Sequence, residues 1–434
     1  MNDPSSSVKS FFAASKQVTF ANKVTFHASL FVLALLILFS RRPDALLNAQ
    51  FYAEDGTYWY ADAYNYSWHC IFMPEAGYLH TVPRLVALFS VLFPFALAPL
   101  VMNVVALWFQ ILPIHIFLSS RFGSIRFTTR AFCSVLYLAL PNSFEIHANT
   151  TNIQWHLALI CCMVLLARPP ETRFWKIFDI SMLVLASIDS PLGVPLVALA
   201  AAVWWFRRDQ RRIWALLPLI PGTVIETCFL LFSHSRRDAS NGASISRLAG
   251  ILGGQVFMSS VLGMRTSIKF YFGHDPNLFI FQLIALSVGT VIVIYAIRYA
   301  PLELRLFIIF AAAVLTMALR RPLAVLESAP EQWAMLLVPG VGNRYYFLPM
   351  IAFLGSLVWM IGDTLAPSKI ARYLAIGLML LVPLGIYRDW QYKPFVDFKF
   401  SKHVEILEQS PPGTRVVIPI NPIWTTWKME LVKR

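Results

Sequence analysis

Residues 51–85 read FYAEDGTYWYADAYNYSWHCIFMPEAGYLHTVPRL and directly follow the first long apolar run of the chain. The chain as a whole is 57% apolar and 14% charged, with a mean hydropathy of +0.61. Against that background the stretch gathers Glu54, Asp55, Asp62, Glu75, His80 and Arg84 among eight Tyr and Trp residues. Charged groups next to a membrane run are expensive unless they are paired, hydrated or functional. The aromatic rings suit the depth of lipid headgroups, where an amphipathic ring has one apolar and one wet side.

Outward from this stretch, apolar runs fall at 24–40, 98–118, 131–145, 152–167, 177–188, 192–206, 213–232, 279–297, 305–319, 346–362 and 373–387. Their lengths predict an all-α polytopic membrane protein of about 11 transmembrane helices. The first run is read as an uncleaved anchor, because Asn48 and Ala49 make a poor signal-peptidase site. Residues 82–119 are long enough for two helices broken at Pro94 and Pro99. Two crossings, or one crossing preceded by an interfacial helix over 80–95, both remain open there.

The second option gathers Arg121, Arg126, Arg130, Arg168, Arg173, Lys176, Arg207, Arg208, Arg211, Arg212, Arg298, Arg305, Lys369 and Arg372 on one face with Lys9, Lys16 and Lys23, 17 of the 36 Lys and Arg. By the positive-inside rule that face is cytoplasmic. Segments 41–97, 233–278, 320–345 and the tail from 388 are then extracytoplasmic. The net charge of +13 is accordingly a topology signal, and no nucleic-acid partner is expected.

The expected organisation is a transmembrane domain over 1–387 and an extracytoplasmic cap over 388–434. The alternation RVVIPI at 415–420, followed by Pro422, Trp424 and Trp427, predicts one or two strands docked at the outer mouth. Several spans are short, and Asp189, Ser190, Pro191 and Gly193 make a tight outer turn, which together predict a cavity open to the outer face. Ser5, Ser6 and Ser7 open a polar start read as a disordered tail. The five Cys show no metal spacing and no disulfide framework.

Glu54 and Asp55 are the first candidates for chemistry, since a carboxylate shielded from water suits a general base that takes a proton from a hydroxyl. The pair could equally be a solvated loop, or could hold a divalent cation, Mg or Mn, opposite a phosphate leaving group. Tyr58 and Trp59 lie beside it as rings that stack on sugars. Arg344, followed by Tyr345 and Tyr346 and preceded by Gly340 and Gly342, could fork onto a phosphate, or could simply anchor a helix at the interface. His80 and Arg84 are rival phosphate ligands. Glu145, His147, Asn149, Asn152, Gln154, Trp155 and His156 form a polar turn suited to sugar hydroxyls or to an interhelical contact. Glu226, inside an apolar run, marks a cavity wall or a pair with an Arg of a neighbouring span. The loop with Arg236, Arg237, Arg247, Arg265, Lys269 and His274 reads as solvated, with an interfacial lid over 245–270 as the second option.

The segments AEDG at 53–56, GYLHTVPRL at 77–85, NTTNIQW at 149–155, GNRYYFLP at 342–349 and IPINPIWTTWKMEL at 418–431 run through most of the chain. With a first span followed by an acidic outer loop and an interfacial helix, the chain resembles the GT-C class of integral-membrane glycosyltransferases. The resemblance implies a polyprenyl-phosphate sugar donor, a glycan or lipid-linked acceptor, and a first-loop acid, Asp55 or Glu54, as catalytic base. It also implies that Arg344 contacts the phosphate. The loop holds no DxD triplet, so the metal of DxD-bearing relatives is not carried over. The expected location is a multi-pass position among the lipids of a bacterial inner (plasma) membrane, with the active site on the extracytoplasmic face. A transporter or flippase of lipid-linked sugars is the alternative reading, though such proteins carry pseudo-repeats that this chain does not display.

Overall fold

The computed structural model describes residues 20–208, 214–232, 240–275, 277–324, 331–362, 368–423 and 427–434. Ser5, Ser6, Ser7, Lys9, Lys16, Arg211, Arg212, Arg236, Arg237 and Trp424 lie outside the described residues, as does the side chain of Lys23. The apolar runs fold into helices α1 (Phe20–Arg41), α2 (Thr81–Ser90), α3 (Ala98–Leu118), α4 (Phe127–Leu138), α5 (Ile153–Leu166), α6 (Arg173–Asp189), α7 (Gly193–Arg207) and α8 (Leu216–Phe232). They continue as α9 (Ile245–Leu262), α10 (Met264–Phe272), α11 (Leu278–Tyr299), α12 (Leu302–Arg320), α13 (Asn343–Gly362) and α14 (Lys369–Asp389). Among the described residues, seven helical segments are long and apolar enough to cross a membrane: Val24–Arg41, Phe95–Leu118, α9, α11, α12, α13 and α14. Helices α2, α5, α7 and α8 are apolar but shorter.

The core runs along α3, α5 and α13. The apolar window of α13 is 72% buried and that of α3 is 61% buried, whereas that of α11 is only 11% buried. On α11 the rings and branched chains of Phe279, Ile284, Val291 and Ile294 face outward. A water-soluble bundle would carry polar residues there, so this outward apolar face is one that lipid covers.

Two expectations are revised, and the open choice at 82–119 is narrowed. The run at 131–145 leaves the helix at Leu138, because Pro141 disfavours helical backbone just before it and Asn142 turns to a φ of +53°. In the 82–119 region α2 is only ten residues, about 15 Å long, half of what a crossing requires. The 245–270 stretch is neither a solvated loop nor a surface lid. It holds α9, whose middle turns are buried against α11 and α13 and whose last turn packs on α14. Gly253 permits this approach: a Cβ there would stand 2.3 Å from the Gln282 carbonyl oxygen on α11.

After α14 the chain forms helix α15 (Phe400–Gln409) and a two-stranded antiparallel sheet, β1 (Arg415–Pro419) with β2 (Lys428–Val432), in which Val417 pairs with Glu430. Val416 and Ile418 point inward and their neighbours outward, the period-2 pattern of a half-buried strand. This tail docks on the first loop. Ala53 N–H donates to Asn421 O (2.6 Å), Asn421 N–H to Phe51 O (3.2 Å) and the Asn65 amide to Glu430 O (2.9 Å).

Candidate active site

One carboxylate fastens the first loop to the bundle. Asp55 opens the helical turns Asp55–Tyr60, is 2% exposed, and accepts four hydrogen bonds. They come from the backbone N–H groups of Thr150 and Thr151 (both 2.8 Å) and from the two threonine hydroxyls (2.8 and 2.6 Å). The Thr151 hydroxyl also accepts from the Trp59 indole N–H at 2.8 Å. The NTTNIQW segment is therefore the receptor for the EDGTYW segment, with Trp59 fully buried behind it.

Glu54 stands one residue earlier, on a backbone preceded by Ala53 at φ +46°, a left-handed conformation costly for alanine. Its carboxylate is half-buried, and among the described residues no side chain donates a hydrogen bond to it. Burial pushes the Glu54 carboxyl above the usual range, opposed by the Arg344 guanidinium and reinforced by Asp55 and Glu145. Of the sequence-predicted acidic pair, one member is thus saturated by structural donors while the other is open.

Arg344 lies in the first turn of α13 and is paired. Its guanidinium bonds Glu145, the Leu323 carbonyl (2.6 Å) and the Tyr345 hydroxyl (3.2 Å), while Glu145 also accepts the Arg344 backbone N–H at 3.1 Å. A carboxylate is favoured at a helix N-terminus, where the first N–H groups lack partners in the helix. Tyr345 meets the Trp155 ring edge-on at 5.7 Å. Asn152 donates to the Glu145 carbonyl (2.9 Å) and to Asn149 (2.8 Å), and the Gln154 amide donates to Thr151 O (3.3 Å). The buried Trp155 indole N–H and the Asn152 side-chain oxygen have no partner among the described residues. The structure therefore brings Glu54, Glu145, Arg344, Tyr345, Asn152, Gln154 and Trp155 to one side of the first loop.

Arg84 and His80 are placed differently. Arg84 is 1% exposed, bonds Asp62 at 2.9 Å and the Leu79 carbonyl at 3.1 Å, and lies 4.9 Å over the Trp59 ring. His80, at φ +53°, is stacked between Tyr78 (3.8 Å) and Trp59 (4.6 Å). Burial, then the nearby Arg84 charge, push its imidazole well below the usual range. These two residues consolidate the loop's interior. Replacing Arg84 with Met is expected to lower unfolding stability by about 2–3 kcal/mol, below the cost for a wholly buried pair because Asp62 stays partly hydrated. Thermal unfolding of the purified protein in detergent checks it, with Asp62→Asn as the milder comparison. Glu75 is half-buried, exchanges backbone hydrogen bonds with Tyr78, and adds to the burial that raises the Tyr58 phenol. Tyr58 packs beside Trp59 (6.0 Å) and Trp427 (6.2 Å).

Glu226 is fully enclosed but meets no Arg among the described residues. It accepts from the Leu79 backbone N–H at 3.3 Å, while Asp189 accepts from Val82 N–H at 2.7 Å. Asp189 takes a buried N–H in the first turn of α2, which lacks a partner in the helix, and Glu226 takes that of Leu79 in the segment just before it. Sequence reasoning missed this role for Asp189, although its place in the Asp-Ser-Pro turn was a signal. It also passed over Arg42, since an Arg directly after a span reads as an ordinary flank.

No divalent-cation site is formed among the described residues. Asp55 has both carboxylate oxygens occupied by protein donors, Glu54 remains as a lone carboxylate, and the described residues contain no group of three or more His, Cys, Asp or Glu able to hold a metal.

No protein-family model matches the chain, and no curated protein matches it. Among solved structures it is similar to an oligosaccharyltransferase of Archaeoglobus fulgidus in complex with Zn and sulfate, with a TM-score of 0.43, 11% identity, and coverage of 88% of this chain and 56% of that one. It is also similar to the archaeal oligosaccharyltransferase AglB from Archaeoglobus fulgidus in complex with an inhibitory peptide and a dolichol-phosphate, with a TM-score of 0.40, 12% identity, and coverage of 89% and 58%. This chain thus spans a little over half the length of either. At TM-scores below 0.5 the likeness carries no functional argument, which rests on the residues.

Proposed function

We propose that this chain is a membrane glycosyltransferase of the GT-C type. It transfers a sugar from a polyprenyl-phosphate-linked donor to a glycan or lipid-linked acceptor, with Glu54 as the general base. The observation that carries the reading is the half-buried Glu54 carboxylate of the first loop, to which the tail docks, free of side-chain donors among the described residues and near an Arg344–Glu145 pair. In this reaction Glu54 takes the proton of the acceptor hydroxyl as its oxygen bonds to the anomeric carbon. The bond from that carbon to the phosphate oxygen breaks, and its electron pair leaves with the phosphate. Configuration inverts. Arg344 holds positive charge beside Glu54 so that the carboxylate can ionise, and the partly exposed Tyr58 ring is offered to the sugar. About eleven crossings, a bacterial inner membrane and an extracytoplasmic site belong to the same proposal.

Transfer of labelled sugar from a panel of synthetic polyprenyl-phosphate donors by the purified protein tests it. Turnover with at least one donor and a hydroxyl acceptor is the expected result. Binding of these lipids without cleavage, whatever the acceptor, overturns it in favour of a flippase.

The base also sets a pH limb. Because the Glu54 carboxyl sits above the ordinary carboxylate range, it accepts a proton as pH falls through that raised value and can then no longer take one from the acceptor. The transfer rate is expected to decline on the acid side at a higher pH than an exposed glutamate would give. The decline should be about tenfold per pH unit well below the raised value, and absent from the residual activity of Glu54→Gln. A pH profile of kcat/KM checks this.

A further inference from the structure

Two buried groups have no role in the arrangement above. Arg42 is 5% exposed and His147 is 1% exposed. The Arg42 guanidinium lies 4.4 Å over the Phe395 ring and 5.4 Å over the Tyr392 ring, yet donates no hydrogen bond to any described residue, and its Nε is buried without a partner. Its neighbour Arg41 shows the contrast: four carbonyl oxygens, of Leu138, Leu140, Asp389 and Trp390, accept from it at 2.7 to 3.4 Å. His147 packs its ring 5.1 Å from that of Tyr392, and both of its ring nitrogens are buried without partners among the described residues.

Asp44, whose carboxylate accepts from the Phe395 N–H at 2.7 Å, favours the Arg42 charge from nearby without bonding it. A buried cation and a buried imidazole without hydrogen-bonded acceptors are each costly, because neither recovers the hydrogen bonds that water gave it. Both groups touch the same Tyr392 wall, so one acceptor between them would satisfy both. Tyr52, two residues before Glu54, packs its ring 5.5 Å from that of Phe395, the ring under Arg42. Burial raises the Tyr52 phenol most; beyond that, Glu145 and Glu54 raise it while Arg42 and Arg344 lower it. Four charges converge on this one ring, with Arg42 contributing the one guanidinium in the set that has no carboxylate bonded to it. Ala148, next to His147, is held at φ +53°, so the backbone that presents the imidazole is strained as it is at Glu54.

We propose that Arg42 and His147 form an anion pocket for a phosphate or diphosphate group, beside Glu54 and across Tyr52 from it. A planar guanidinium resting on two aromatic rings leaves its N–H edge for bidentate bonding to phosphate oxygens, and an imidazole N–H adds a third donor. The pocket stands on these contacts alone; naming its anion as the phosphate of a lipid-linked donor rests on the proposed function.

Equilibrium binding to the purified full-length protein in detergent tests it, with farnesyl phosphate, farnesol and inorganic pyrophosphate as probes. Arg42→Met is expected to weaken farnesyl phosphate binding by about 20-fold or more, and His147→Gln and Arg42→Lys by about 5- to 10-fold, with farnesol unaffected. If Arg42→Met does not fold, Arg42→Lys and His147→Gln carry the comparison. Wild-type affinity in the folded variants, or wild type binding neither anion more tightly than farnesol, overturns the pocket. Pyrophosphate binding that depends on Arg42, without binding of farnesyl phosphate, upholds the pocket for a free anion and removes the lipid donor. Loss of farnesyl phosphate binding in the Arg42 variant beside retained binding in Glu54→Gln upholds pocket and donor alike.

Discussion

Glu54→Gln is expected to lower the rate of sugar transfer by about 10²- to 10⁴-fold while leaving donor affinity within a factor of about three. The substitution is nearly isosteric and removes only the ability to accept a proton. No side chain among the described residues donates to the Glu54 carboxylate, so the amide breaks no side-chain hydrogen bond and the fold is expected to keep its stability. Removing a carboxylate whose burial is unfavourable relieves a desolvation cost, so a small gain in stability is expected. A split of this kind, with kcat falling and donor Kd steady, is what a group acting only in the transition state produces. Parallel single-turnover transfer and donor-binding measurements decide it. Activity within about fivefold of wild type would remove Glu54 as the base.

The helices were largely legible in the sequence because an apolar run long enough to cross a bilayer has few alternatives. What failed were places where backbone geometry overrides hydropathy. Pro141 cuts α4 short inside an apolar run, and Gly253 lets α9 bury a stretch whose flanking Arg residues had made it read as a loop. The acidic loop was also legible as a special stretch, since Glu54 and Asp55 sit in an otherwise apolar chain. Their division of labour was not. Adjacent acids have the same local sequence, and what separates them is a tertiary partner, the Thr150–Thr151 turn nearly a hundred positions away. Arg344 was visible as an interfacial Arg, but its bond to Glu145 was not, because the two residues lie on segments 199 positions apart. Arg42 was invisible for a different reason: a basic residue after a span is the commonest flank in membrane proteins, and only the absence of a partner makes it notable.

Asp55→Asn is expected to lose activity for a reason opposite to that of Glu54→Gln, through the fold. The Asp55 carboxylate faces two backbone N–H groups and two hydroxyls, with Oδ1 taking three of the four bonds and Oδ2 the fourth. An asparagine has one acceptor oxygen, so whichever way it is turned its NH₂ faces a donor that cannot rotate away, the N–H of Thr150 or of Thr151. Each charge-assisted bond to a buried carboxylate contributes about 1.5–3 kcal/mol, and an unmatched buried donor costs a further 1–3. With partial relaxation of the hydroxyls, a loss of about 3–4 kcal/mol is expected, a large share of the stability of an ordinary domain. The damage is directed at the first loop, because Asp55 and Trp59 fasten it to the turn at 150–151. Thermal unfolding in detergent, with limited proteolysis across 51–85, checks this. The variant should melt earlier and be cut in that loop, and its transfer per folded molecule should recover on cooling. If instead Asp55→Asn melts with wild type and resists proteolysis while transfer stops, Asp55 is the base. The four donors would then serve to hold a reactive carboxylate in place.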